Sequence, residues 1–97
     1  MDISLVGKRA VVGGSTQGIG KATAIELAKL GASITLLARN EERLREVLSE
    51  LDKRNGQQHD FLVVDFSQES HLKEVVQAYA FQKSKEGANI DILVNNT

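Results

Sequence analysis

The sequence predicts an α/β fold of three layers, in which a partial parallel sheet of four strands, in the order 3-2-1-4, is flanked by helices. Two observations lead to this prediction. Short apolar segments alternate along the 97 residues with longer segments of helical periodicity, which is the pattern of repeated βαβ units. The first apolar segment also runs directly into three spaced glycines. Right-handed crossovers between consecutive strands then give the strand order.

Four short, largely apolar segments are predicted as the strands. Continuous apolar character is typical of parallel strands that helices cover on both faces, where alternation of apolar and polar residues is not expected. No repeat or low-complexity tract interrupts them, so residues 1–97 are interpreted as one domain. In chain order the strands are Lys8 to Gly13, Ser33 to Ala38, Phe61 to Val64 and Asp91 to Asn95.

Three helices are predicted between the strands. The first covers residues 18–30, with Gly31 as its C-terminal cap. The second begins after the N-cap Asn40, where apolar residues recur at i, i+3, i+4 and i+7, and Gly56 closes that segment. The third begins near Ser67 and has the same apolar spacing.

The connection after the first strand is the most specific feature of the sequence. Residues 9 to 20 read Arg-Ala-Val-Val-Gly-Gly-Ser-Thr-Gln-Gly-Ile-Gly, so Gly14, Gly18 and Gly20 lie between a strand and a helix. Glycine reaches backbone angles closed to other residues, and a pyrophosphate can approach the free N–H groups at the positive end of the helix. We interpret the segment as the phosphate turn of a Rossmann-type dinucleotide fold. The alternative is that these glycines only end one element and start the next.

Composition and charge exclude several function classes. The 12 basic and 13 acidic residues are interleaved and leave a net charge of -1, so no sustained positive field exists to attract nucleic acid or a membrane surface. Cysteine is absent, and His59 and His71 lack the paired spacing of metal ligands, so no metal is expected. No apolar run approaches the length of a membrane span, and we expect a cytoplasmic protein.

Three motifs, in order, resemble those of the short-chain dehydrogenase/reductase family. Residues 13–20 match its Thr-Gly-x-x-x-Gly-x-Gly turn, except that Gly13 replaces threonine. Residues 65–67, Asp-Phe-Ser, resemble the acidic motif that contacts adenine. Residues 95–97 resemble the start of its Asn-Asn-Ala-Gly motif, with Thr97 in place of alanine. The resemblance covers essentially the whole chain, but only the amino-terminal portion of such an enzyme.

The residue after the second strand predicts which dinucleotide binds. An acidic side chain there binds a ribose 2′-hydroxyl, whereas a 2′-phosphate needs a cation because a carboxylate would repel it. Arg39 occupies the position, and its guanidinium can fork onto phosphate oxygens and lie flat against adenine. We therefore predict NADP(H) as the cofactor. The alternative is an ordinary surface arginine.

The resemblance implies the remaining cofactor contacts. The turn residues would line the pyrophosphate, Asn40 would lie beside the 2′-phosphate, and Asn96 would approach the ribose or nicotinamide. Asp65 and its neighbour Phe66 would flank adenine, although Asp65 can equally cap the third helix, and the asparagine pair can simply form a turn. The full set is Gly14, Ser15, Thr16, Gln17, Gly18, Ile19, Gly20, Arg39, Asn40, Asp65, Phe66, Asn95 and Asn96.

Tyr79 and Lys83 have the family's catalytic spacing, Tyr-x-x-x-Lys, but we reject them as catalytic. The family's pair follows the Asn-Asn motif on a later helix, whereas this pair precedes it. Tyr79 continues an apolar stripe, so it is expected to pack on the sheet with its hydroxyl at the rim, while Lys83 extends outward. His59 and His71 are expected to be solvated surface residues. No catalytic residue is assigned.

The resemblance implies the cofactor-binding part of an NADP(H)-dependent oxidoreductase that moves hydride between nicotinamide and a carbonyl or alcohol, similar to 3-oxoacyl carrier-protein reductases. The chain stops before the family's Ser and Tyr-x-x-x-Lys segment, so we expect a truncated chain that is inactive alone. A small-molecule or acyl-thioester substrate and a homo-oligomer are expected of the complete enzyme. Alternatives are a non-catalytic NADP-binding or redox-sensing module, and a fragment that functions only with a complementary chain on its open strand edge.

Overall fold

Strands and helices alternate along the chain from the first strand to the last. A computed structural model describes residues 4–14, 18–64, 69–87 and 90–95. The predicted start of the third helix, near Ser67, lies outside these ranges, and none of the helices within them is long and apolar enough to cross a membrane. In chain order the elements are β1 (Arg9–Gly13), α1 (Gly18–Lys29), β2 (Ser33–Ala38), α2 (Glu41–Glu50), β3 (Asp60–Val63), α3 (Glu69–Lys85) and β4 (Ile92–Asn95).

The four strands form one parallel sheet in the order β3-β2-β1-β4. The last residue of β1, Gly13, pairs with Leu37 of β2 on one side and with Asn95 of β4 on the other. The predicted strand order and the flanking helices are confirmed. The order of connections reverses between β1 and β4, and the crevice at the carboxyl ends of such a pair is where open α/β sheets bind ligands.

The two faces of the sheet pack against different helices. On one face β1 and β2 share a core with α1 and α2, in which Ile34, Leu36 and Leu44 are fully buried. Complete burial of one such side chain stabilises the fold by about 1.5–3 kcal/mol. The other face packs against α3. That second core consists of Val11, Leu37 and Val64, with Leu62, Val75, Val76, Tyr79 and Ile90 packed against it.

Strand boundaries differ from the sequence expectation by one residue. β1 begins at Arg9 rather than Lys8, and β4 begins at Ile92 rather than Asp91. Asp91 stands just before its strand, where its Oδ2 accepts from the Arg9 N–H at 3.0 Å and its own N–H donates to the Arg9 carbonyl at 2.9 Å. β3 both starts and ends one residue early, since Asp60 already pairs with β2.

The helix ends follow the prediction at two positions and depart from it at a third. Gly31 lies just beyond α1 with φ of 106°, and Oδ1 of Asn40 accepts from the Arg43 N–H at 3.2 Å at the start of α2. The prediction that Gly56 closes the second helical segment is wrong. α2 ends at residue 50, because the buried Leu51 takes an extended backbone and packs into the core.

The connection between α2 and β3 forms hydrogen bonds with backbone groups at the end of α1 and the start of β2. The buried Gln57 donates through Nε2 to two carbonyls at the end of α1 and just beyond it, at 2.6 and 2.9 Å. His59 lies 2.9 Å from the Ile34 N–H through Nδ1 and 2.7 Å from the Asp52 carbonyl through Nε2. The expectation that His59 is a solvated surface residue is therefore wrong, because both ring nitrogens serve backbone groups.

Candidate functional site

The carboxyl ends of the strands bring the beginnings of three connections to one edge of the sheet. The Gly14 N–H donates to the Leu37 carbonyl at 3.0 Å, and the Val64 N–H donates to the Ala38 carbonyl at 2.8 Å. Parallel pairing thus continues one residue beyond β1 and β3. Gly14, Arg39 and Val64 consequently lie at the same edge of the sheet, beside the point where the strand order reverses.

The described part of the glycine turn includes two glycines with positive φ. Gly14 has φ of 66° and Gly18 has φ of 62°, in the left-handed region that favours glycine. A Cβ at Gly18 would meet nothing within 4 Å, so the demand there is conformational rather than steric. α1 begins at Gly18 with no acidic residue in its first turn, and Ile19 beside it is 74% exposed. The first N–H groups of α1, which lack intrahelical partners, therefore have no carboxylate from the first turn of that helix beside them.

Arg39 and Asn40 follow β2 directly, and both are exposed. Oδ1 of Asn40 caps α2 through the Arg43 N–H, which leaves the amide Nδ2 of Asn40 as a donor. A cation and an amide donor therefore stand where dinucleotide folds contact the adenosine ribose. Glu41 and Glu42 occupy the first turn of α2 and favour its dipole.

A groove of about 560 Å³ continues from Asn40 between α1 and α2. Lys21 from the first turn of α1 and Arg43 from α2 line it, and three glutamates of α2 share the lining. One of these, Glu50, lies 3.2 Å from the Lys21 ammonium. Sequence reasoning missed this groove, because its cations come from two helices and no single motif contains them.

Several predicted site residues are not placed by the structure. Asn95 is described only as the last residue of β4, in register with Gly13. The adenine pair and the second asparagine therefore stay predictions, as do the middle residues of the glycine turn. The predicted residues outside the described ranges are Ser15, Thr16, Gln17, Asp65, Phe66 and Asn96.

The opposite, amino edge of the sheet holds a cluster of polar side chains that we call the amino-edge cluster: Arg9, Thr35, Asp60, Tyr79 and Lys83. The Arg9 guanidinium donates to Thr35 Oγ1 at 3.0 Å and lies 3.5 Å from Asp60 Oδ1. The Thr35 hydroxyl lies 2.6 Å from the same oxygen and 2.7 Å from the Tyr79 hydroxyl. Within the described ranges, every buried side-chain nitrogen or oxygen has a hydrogen-bond partner.

Tyr79 packs on the sheet as expected, but the prediction that Lys83 extends outward is wrong. The Lys83 ammonium turns back to within 4.0 Å of Asp60 and 3.4 Å of Glu86, and its side chain is only 20% exposed. The pKa of Tyr79 is raised to about 12, chiefly by burial; the hydrogen bond to Thr35 opposes the rise, and the hydrogen bond to Asp60 adds to it. An active-site phenol needs the opposite shift, so this pair suits a structural role.

Known proteins resemble the chain over nearly all its length. A family profile described as short chain dehydrogenase matches residues 8–97. The very-long-chain 3-oxoacyl-CoA reductase of Anas platyrhynchos is 38% identical over 91 residues, which are 94% of this chain and 28% of that protein. The inactive hydroxysteroid dehydrogenase-like protein 1 of Homo sapiens is 37% identical over 94 residues, which are 97% of this chain and 27% of that protein.

Among solved structures, the L-sorbose reductase of Gluconobacter frateurii, complexed with NADPH and L-sorbose, superposes with a TM-score of 0.80 at 39% sequence identity. The superposition covers 100% of this chain and 35% of that one. The chain thus spans little more than a quarter of the two relatives and about a third of the solved reductase.

Proposed function

Because the chain belongs to the short-chain dehydrogenase family, we propose that it is the NADP(H)-binding portion of an oxidoreductase that transfers hydride between nicotinamide and a carbonyl or alcohol. The observation that carries the cofactor assignment is Arg39, an exposed cation directly after β2, where an acid would bind a ribose 2′-hydroxyl. The NADPH complex of the sorbose reductase supports the same cofactor. The 3-oxoacyl-CoA reductase supports a 3-oxoacyl thioester as the substrate of the whole protein.

The described residues at the carboxyl edge fit such a cofactor. Gly14 and Gly18 adopt positive φ, and the first turn of α1 carries no acid that would repel a pyrophosphate. We expect the N–H groups of α1 to bind the pyrophosphate, the Arg39 guanidinium to bind the 2′-phosphate, and the Asn40 amide to donate to it. The bound nicotinamide would supply or accept the hydride.

We expect the chain to bind cofactor without turnover. Reduction of a carbonyl needs a proton donor within hydrogen-bond reach of the substrate oxygen. The Tyr79 phenol is bonded to Asp60 at the other edge of the sheet, and its raised pKa disfavours proton exchange. The homo-oligomer of the complete enzyme and the cytoplasmic location stay predictions.

A second candidate is a non-catalytic NADP-binding module. It is favoured by the human relative, which is named an inactive hydroxysteroid dehydrogenase-like protein and matches 97% of this chain. Both candidates use the same cofactor residues and differ only in turnover. Oxidation of NADPH by the full-length gene product on addition of a 3-oxoacyl thioester would favour the enzyme, and binding of NADPH without oxidation by any carbonyl would favour the module.

Isothermal titration of the chain with NADPH and with NADH tests the cofactor assignment. We expect NADPH to bind about tenfold more tightly or better, since a charge-assisted bond to the phosphate adds about 1.5–3 kcal/mol. Arg39→Asp should abolish or reverse that preference. Lys53→Asp makes the same charge change in the exposed connection after α2 and should preserve it. Equal loss of both cofactors in Arg39→Asp would contradict the assignment.

A further inference from the structure

The groove between α1 and α2 brings a second arginine beside the proposed ribose site. Asn40 and Arg43 both line the groove, and they are joined by the bond of 3.2 Å from the Arg43 N–H to Asn40 Oδ1. That bond caps the first turn of α2, which begins two residues after Arg39. Side chains three positions apart on a helix lie about 5–6 Å apart at Cβ, so Arg43 emerges one turn above Asn40 on the groove side.

We propose that Arg43 is a second cation for the 2′-phosphate and a specificity-determining residue of the cofactor site. The inference rests on the proposed function and extends it beyond Arg39. A phosphate beside Asn40 lies within reach of a long arginine side chain from that turn, and two guanidinium groups on different sides can bind separate phosphate oxygens. Arg39 approaches from the end of β2, and Arg43 from the helix wall.

The charges in the groove decide what kind of anion it accepts. Glu42, Glu46 and Glu50 outnumber the two cations of the lining, and Glu50 holds Lys21 at 3.2 Å. The groove therefore has no general attraction for free anions. A phosphate binds beside Arg43 only when the adenosine and the pyrophosphate hold it there. We expect inorganic phosphate alone not to bind.

A matched control residue lies on the same helix. Arg45 is exposed, pairs with Glu41 at 3.3 Å and stacks 5.2 Å from the Phe61 ring centroid, and it does not line the groove. Arg43→Ala and Arg45→Ala remove the same charge from α2 at two positions. The N-cap bond of Arg43 uses its backbone N–H, so Arg43→Ala keeps that bond.

The test uses two fragments of the cofactor, adenosine 2′,5′-bisphosphate and AMP, which differ only in the 2′-phosphate. We expect Arg43→Ala to weaken the bisphosphate about tenfold with AMP unchanged, as for one charge-assisted hydrogen bond, and Arg45→Ala to change neither. An unchanged preference for the bisphosphate in Arg43→Ala would overturn the inference. Arg43→Gln keeps a long polar side chain and should show the same selective loss. It replaces Arg43→Ala in the test if that variant has a lowered melting temperature.

The outcomes also separate this inference from the proposed function. If the unaltered chain binds adenosine 2′,5′-bisphosphate no better than AMP, the NADP(H) assignment fails and the role of Arg43 fails with it. If the unaltered chain prefers the bisphosphate and only Arg39→Asp removes the preference, the assignment stands and the role of Arg43 is refuted. Selective loss in both variants supports both.

Discussion

The hydroxyl of Tyr79 lies 2.7 Å from Oδ2 of Asp60, which joins the middle of α3 to the first residue of β3. The same hydroxyl lies 2.7 Å from Thr35 Oγ1, and Thr35 lies 2.6 Å from the other carboxylate oxygen. The two hydroxyls carry only two protons for these three contacts, so when both donate to Asp60 no hydroxyl proton is left for the contact between them. The contact orients α3 on its face of the sheet, where apolar packing alone is less directional.

Replacing Tyr79 with phenylalanine tests how much this contact stabilises the fold. The ring keeps its packing, while Asp60 keeps Thr35 and Arg9 as partners, so the free energy of unfolding should fall by about 1 kcal/mol. Urea unfolding followed by circular dichroism measures the change. NADPH affinity should stay the same because the cofactor edge is untouched. A loss of NADPH binding without a loss of stability would show that Tyr79 acts at the cofactor site.

Arg9 is the central member of the amino-edge cluster and is only 8% exposed. Its guanidinium donates to the Gln58 carbonyl at 3.0 Å as well as to Thr35. Arg9→Met removes the donors to Thr35 and to the Gln58 carbonyl and the cation beside Asp60, so we expect a loss of about 2–3 kcal/mol in the free energy of unfolding. Lys8→Met, at the exposed neighbour, is the control and should change stability little. Equal effects of the two changes would refute the role of Arg9.

Periodicity and motif order predict most of the fold. The order β3-β2-β1-β4 follows from right-handed crossovers, which local sequence does not need to specify. The end of α2 could not be predicted, because Leu51 fits the helical apolar stripe but takes an extended backbone and packs into the core. Tertiary packing decides such an ending, and no cap residue marks it.

The amino-edge cluster shows why some polar contacts cannot be predicted from sequence. Arg9 and Thr35 interrupt two apolar strands, which is a signal that polar groups are buried there. Their partners Asp60 and Tyr79 come from elements 25 and 44 residues after Thr35, and only strand register brings them together. The sequence predicts that Lys83 extends outward, because it does not show that the Asp60 carboxylate lies near the Lys83 ammonium. At the other edge, the role of Arg39 stays a prediction, which rests on the position after the second strand that contacts the ribose in dinucleotide folds.

Asn40 caps α2 and is proposed to contact the 2′-phosphate, and one substitution separates the cap from the proposed contact. Asn40→Asp keeps an oxygen to accept from the Arg43 N–H and adds a negative charge at a helix N-terminus, so the fold should be at least as stable. The added carboxylate would repel a 2′-phosphate, and NADPH affinity should fall more than NADH affinity. Asn40→Ala should lose about 1 kcal/mol of stability through the cap. Titration and thermal melting of both variants check the two effects. Unchanged NADPH affinity in Asn40→Asp would remove Asn40 from the proposed cofactor site.

The His59 ring joins the α2–β3 connection to β2, and both of its hydrogen bonds can form only when the ring is neutral. The Ile34 N–H donates to Nδ1, so the ring is neutral and its Nε2–H donates to the Asp52 carbonyl. Burial lowers the pKa of His59, and the charges of Lys53 and Arg9 lower it further, against the opposing effects of the Asp52 carbonyl and the Asp60 carboxylate. A proton on Nδ1 would face the Ile34 N–H and break that bond.

Stability should therefore fall as the pH falls below 6.5, the ordinary pKa of histidine. The unfolded chain takes up the proton first, because its pKa is the higher one, so the loss grows from pH 6.5 down to the lowered pKa of the folded state. Urea midpoints between pH 8 and about pH 5, above the main range of carboxylate titration, measure it. His59→Asn can still accept from Ile34 without titrating, and it should flatten the profile. His71→Asn should retain the slope, and a flat profile in that variant instead would assign the pH dependence to His71.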